Sequence, residues 1–117
     1  MKYMFLIYGD PADDPADEAE TKAEIDAYWA YDGALADVGA FIASHALAGV
    51  EAATTVQVRA GAQVVTDGPF AETREILGGY YLVDLPDLTT ALEWAARCPG
   101  ALRGKIEVRP VIEYEEP

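Results

Sequence analysis

An α+β sandwich, two helices laid over one sheet, is the fold class this sequence predicts. Three observations carry that expectation. Apolar runs of strand length recur at residues 1–8, 40–47 and 78–85, and a further run begins at residue 105. Stretches with helical spacing, about residues 18–38 and 88–98, separate the first run from the second and the third from the fourth. Between the two halves lie two short β-branched runs joined through a glycine, which is a hairpin signal.

The first strand carries Tyr3, Phe5 and Ile7 on one face and Met4, Leu6 and Tyr8 on the other. A strand that is apolar on both faces needs cover on both. Asp10, Asp13, Asp14 and Asp17 follow in a proline-containing loop that lacks the glycine and terminal glutamate of a calcium loop. The first helix places Ile25, Tyr28, Trp29, Leu35 and Ala36 toward the core, with Asp32 inside that stripe. Gly39 then closes it. An acid at Asp32 has to be paired, hydrogen-bonded or at the edge of the stripe.

Residues 40–47 read as the second strand. Thr54–Arg59 and Gln63–Thr66 form a hairpin around a three-residue connection, Ala60-Gly61-Ala62. Asp67-Gly68-Pro69 is turn chemistry, opening a polar segment with room for a helical turn before the strand Gly78–Leu85. Asp87 is the N-cap of the second helix, whose buried stripe is Leu88, Ala91, Leu92 and Ala95 with Cys98 near its end. Pro99-Gly100 stops it, and Lys105–Tyr114 is the last strand.

The order is therefore β-α-β, hairpin, β-α-β, a ferredoxin-like sandwich in a single domain spanning residues 1–117. Two helices cover only one face of its sheet. The other face is expected to be covered by the same face of a second copy, making a homodimer.

Composition bounds the function. The chain has 117 residues, 51% of them hydrophobic, enough for one core. Eight basic residues against 21 acidic ones leave a net charge of −13, which argues against nucleic acid and against an anionic membrane surface. The longest uncharged run, Val38–Val50, is 13 residues and includes Ser44 and His45, too short for a bilayer. No targeting segment is expected from Met1-Lys2 onward, and the lone Cys98 fits a cytoplasmic setting.

The opening Met1–Tyr8, the block Thr66-Asp67-Gly68-Pro69-Phe70-Ala71-Glu72-Thr73-Arg74-Glu75, the pair Gly78-Gly79 with Tyr80-Tyr81, and Ile106–Pro110 together resemble the YCII-related proteins, specifically their DGPF subgroup. The resemblance covers nearly the whole chain. It implies a dimeric α/β barrel of ferredoxin-like subunits, and a regulatory setting beside sigma factors of the extracytoplasmic-function type. The wider family pairs a histidine on the first helix with a nearby aspartate. Here that helical position falls near Tyr28, and the only histidine is His45 on the following strand.

His45 and Asp67 are the candidate catalytic pair, as base and acid. A structural role, as a satisfied strand histidine and a turn-forming aspartate, is the competing reading of each. Tyr28, Asp32, Phe70, Arg74 and Tyr81 are the candidate ligand-binding residues. Tyr80 and Trp29 join Tyr28 and Tyr81 as aromatic wall candidates, with core and dimer packing the simpler role for most of them. Glu107 and Arg109 share one strand face and read as an ion pair at the dimer contact.

No cofactor or metal is expected. There is one histidine and one cysteine, no HxxxH, CxxC or HExxH spacing, no phosphate-cradling glycine loop and no Gly-x-Ser-x-Gly elbow. The leading expectation is a small homodimeric protein that binds a small organic ligand in a cleft between sheet and helices, as a sensor or accessory protein. The alternative is a cofactor-independent enzyme doing acid–base chemistry on a small organic substrate.

Overall fold

A computed structural model describes residues 1–117. Six strands and two helices follow one another as β1 (Lys2–Gly9), α1 (Glu18–Asp37), β2 (Phe41–Ala46), β3 (Thr54–Arg59), β4 (Ala62–Asp67), β5 (Ile76–Asp84), α2 (Leu88–Arg97) and β6 (Lys105–Pro110). β2, β5, β1 and β6 form one sheet in that order, every pair antiparallel, while β3 and β4 form a separate two-stranded sheet. Two split β-α-β units with this strand order fit the ferredoxin-like arrangement.

Strand alternation sorts the side chains onto two faces. Tyr3 and Phe5 of β1, with Tyr81 and Val83 of β5, are buried against Tyr31 and Leu35 of α1 and Ala91 and Ala95 of α2. Both helices therefore pack on the same face. They meet where the Tyr31 hydroxyl donates to the Trp94 carbonyl at 2.7 Å. The other face holds Met4, Leu6, Tyr80 and Leu82, paired across β1 and β5, and it bears no helix. At its β6 edge Arg109 lies 3.4 Å from Glu107.

Both helices begin with an aspartate N-cap. Asp17 accepts from the Glu20 amide and Asp87 from the Thr90 amide, each satisfying a backbone donor that the first turn leaves free. The buried stripe of α1 is rotated by one residue from the sequence expectation. Tyr28, Tyr31 and Leu35 face the sheet, while Ile25, Trp29 and Ala36 are exposed. Tyr31 wins that place because its hydroxyl finds a partner on α2. Asp32 lies at the edge of the stripe. In α2 the buried line is Ala91, Ala95 and Cys98, and Leu88 and Leu92 are half-exposed. Small residues there let the helix sit close to the sheet, so the bulkier leucines stay on the flank.

Four boundaries also differ. The hairpin turn is two residues, Ala60-Gly61, both at positive φ (50° and 79°), with Arg59 paired to Ala62. That mirror-image turn matches the twist of the flanking strands. Asp67 closes β4 rather than opening a turn, and residues 68–75 form no helical turn. β5 begins at Ile76, and a register shift leaves Gly78 unpaired between two partners of β1. β6 ends at Pro110, before Tyr114.

Candidate functional site

A cleft of about 600 Å³ opens at the end of the sheet where β1 and β2 finish and β5 begins. α1 supplies Glu24, Tyr28, Trp29 and Asp32 to it; the loop after β1 supplies Asp10, Asp13 and Asp14. Ser44, Gly79 and Tyr81 form the sheet wall, and Gly100, Arg103 and Gly104 close the side toward β6.

Glycine gives this end of the sheet its shape. A Cβ on Gly79 would stand 2.9 Å from the His45 carbonyl oxygen, so only glycine lets β5 approach β2 this closely.

Tyr81 points toward the helices, and its hydroxyl donates to Oδ1 of Asp32. Burial, and then the Asp32 carboxylate, push the Tyr81 phenol well above its ordinary range, so it stays a donor. Tyr28 is raised as well, first by burial and then by the neighbouring Cys98, and its ring lies nearly parallel to that of Tyr81 with centroids 6.4 Å apart. The result is an aromatic wall with a carboxylate at its edge. Asp32 keeps its second oxygen for another donor.

The charge lining the cleft is one-sided. Asp10, Asp13, Asp14, Glu24 and Asp32 stand against the single arginine Arg103. Arg103 donates to the Asp13 carbonyl at 3.0 Å and lies 3.5 Å from Oε2 of Glu24, an oxygen shielded from solvent with no hydrogen bond of its own. No three carboxylate, imidazole or thiol groups converge closely enough to hold a metal ion.

Tyr28, Asp32 and Tyr81, proposed from sequence, come together here. Arg74 lies outside the lining, where its Nε donates to Asp10 at 2.7 Å and so fixes a residue of the rim. Phe70 is 90% exposed and also outside. His45 borders the cleft, but it pairs with Tyr80, on the sheet face opposite Tyr81 and Asp32. Its Nδ1 shares a 2.7 Å hydrogen bond with the Tyr80 hydroxyl, and no acid bonds to it. Asp67 ends β4 in the separate hairpin, with no hydrogen bond or ion pair to His45. Trp29, an aromatic wall candidate from sequence, does line the cleft, whereas Glu24 and Arg103 were missing from the sequence-based site set. Glu24 shares the Tyr28 stripe one turn earlier, a signal available in the spacing, whereas Arg103 is brought in only by tertiary folding.

Fold and cleft together define a small α+β domain of the split β-α-β class, with an aromatic and acidic recess at one end of its sheet. The chain belongs to the YCII-related domain family, whose pattern it matches over residues 1–115. A protein of Rhizobium meliloti (strain 1021), itself described as uncharacterised, is 46% identical over 66 residues. That match covers 55% of this chain and 53% of the relative, so it spans about half the relative's length. No helix is long and apolar enough to cross a membrane.

Proposed function

We propose that this chain is a homodimeric YCII-related protein of the DGPF subgroup that binds a small organic cation, one with a flat apolar body, in the cleft between α1 and the sheet. The observation that carries this reading is the Tyr81–Asp32 pair set beside the Tyr28 ring in a recess of about 600 Å³. The volume suits a small molecule, and the rings suit a flat body. Asp32 is a ready acceptor for an ammonium or amidinium group, and cations also gain from aromatic faces. With Asp10 paired to Arg74 and Glu24 beside Arg103, Asp13, Asp14 and Asp32 still leave the lining net negative in a partly enclosed space, which raises the local concentration of cations.

A binding role, sensory or accessory to a sigma-factor system as the subgroup resemblance implies, fits this geometry better than acid–base catalysis by His45 and Asp67. Those two side chains share no hydrogen bond or ion pair. Dimerisation through the open sheet face is supported by Met4, Leu6, Tyr80 and Leu82, which lie together on a surface that no helix covers.

The test is calorimetric titration with phenethylamine and hydrocinnamate, which have similar shape and opposite charge. Phenethylamine is expected to bind and hydrocinnamate not to. Asp32→Asn should weaken the amine by about 10- to 100-fold, the size of a hydrogen bond to a charged group. Equal binding of both compounds, or amine binding that survives Asp32→Asn and Tyr81→Phe, would remove the site from this cleft.

A further inference from the structure

Oε2 of Glu24 is shielded from solvent and takes no hydrogen bond, the one side-chain atom of the fold so placed. Arg103 stands 3.5 Å from it, near enough for an ion pair, but that guanidinium nitrogen gives its hydrogen bond to the Asp13 carbonyl at 3.0 Å. A shielded carboxylate oxygen without a donor costs free energy until a ligand or a water supplies one. Glu24 lines the same recess as Asp32.

The two acids stand in line. Glu24, Tyr28 and Asp32 recur every four residues along α1, so they share one side of the helix. Eight residues separate the acids, a rise of about 12 Å, with the Tyr28 ring between them. The two ends differ in charge. Asp32 has a neutral partner, the Tyr81 hydroxyl, so no cation offsets it. At Glu24 the Arg103 guanidinium does offset the carboxylate. That end is close to neutral and presents an acceptor oxygen and guanidinium donors side by side.

We infer that the recess also reads the far end of its ligand, and that this end bears a hydroxyl, held by Glu24 and Arg103. The inference rests on the cation reading of the Asp32 end. A hydroxyl is a donor and an acceptor on one atom. It donates to Oε2 of Glu24 and accepts from Arg103, satisfying the orphaned oxygen without adding charge. A second ammonium would face Arg103 and a carboxylate would face Glu24, so either charged group is repelled by half of the pair. A para-substituted ring with a two-carbon ammonium arm, lengthened by a hydrogen bond of about 2.8 Å at each end, has a reach comparable to the rise between the two acids. Its flat body then lies beside Tyr28.

Calorimetric titration of the wild type, Glu24→Met, Glu24→Gln and Asp32→Asn tests it. The probes are para-hydroxyphenethylamine, para-methylphenethylamine and the diammonium compound para-(aminomethyl)phenethylamine. The readout is the ratio of hydroxyl to methyl affinity within each protein, so a general loss from altered charge or folding cancels. The ratio is expected to be about tenfold or more in the wild type. It should fall to within about twofold of unity in Glu24→Met, and to about threefold in Glu24→Gln, because a charged acceptor bonds about twice as strongly as a neutral one. Asp32→Asn should weaken both compounds and keep the ratio. The diammonium compound is expected to bind less tightly than the hydroxyl compound. A wild type that binds none of the three overturns the cation reading, and this inference with it. Binding with a ratio near unity overturns the hydroxyl end alone. So does a ratio that both Glu24 variants leave unchanged, or tighter binding of the diammonium compound.

Discussion

Asp32 occupies the position where a helix turns from core to cleft, and its surroundings assign it two tasks. One oxygen accepts a hydrogen bond from the Tyr81 hydroxyl and ties that β5 ring to α1. In the proposed binding role the other oxygen receives the ligand's donor. Tyr81→Phe is therefore expected to weaken amine binding less than Asp32→Asn, because it loosens the carboxylate without removing it; paired titrations of the two variants check the order. Tyr31 does purely structural work by comparison. Tyr31→Phe leaves the Trp94 carbonyl without its donor and should cost about 1–2 kcal/mol in urea unfolding, with binding unchanged. Asp87 is the clearest pH-sensitive cap. The Thr90 donors, backbone first, hold its carboxyl below the usual range. Its contribution is complete above the unfolded carboxyl value of about 3.9 and is lost as pH falls through the lower folded value. Asp87→Asn keeps a capping oxygen but has no charge to lose. Melting temperatures from pH 5 down to about 2 should fall less steeply for the variant than for the wild type.

At the scale of elements, each strand and helix earns its place through what it covers. Leu35 is fully buried between α1 and the sheet, so Leu35→Ala should destabilise by about 2–5 kcal/mol, measured by urea denaturation. Gly79→Ala is expected to push β2 away from β5 at the cleft and so lower both stability and amine affinity together. The order of elements was legible because short, nearly continuous apolar runs alternate with stretches of helical spacing. Which face of α1 turns inward was not, since Ile25 and Trp29 are as apolar as Tyr28 and Leu35. The choice depends on the Trp94 carbonyl, which no spacing within α1 can reveal. The grouping of Tyr28, Asp32 and Tyr81 was readable because an acid in an apolar stripe demands a partner. The placement of His45 was not. A strand residue's face follows from register, and the register of β2 is set by a bulge between Phe41 and Ala43.

Taken whole, the molecule is a thin plate, 18 Å along its shortest axis, with both helices on one face of the main sheet and the β3–β4 hairpin outside that sheet. Its charge of −13 makes self-association compete with repulsion. Raising ionic strength from about 0.01 to about 0.1 M shortens the Debye length from about 30 to about 10 Å. The proposed dimer is accordingly expected to tighten with added salt, while the proposed amine binding weakens. Sedimentation and calorimetry across the same salt series would show these opposite slopes.

Cys98 has one more use. Its thiol is 1% exposed at the end of α2, and burial raises its pKa, so a trapping reagent meets almost no thiolate until the helix lifts. Gly100, two residues on, lies beside the Tyr28 hydroxyl at the wall of the recess. The rate at which Cys98 is modified therefore acts as a native clock for breathing of that seam. A compound lodged against Tyr28 should slow the clock without a single engineered label.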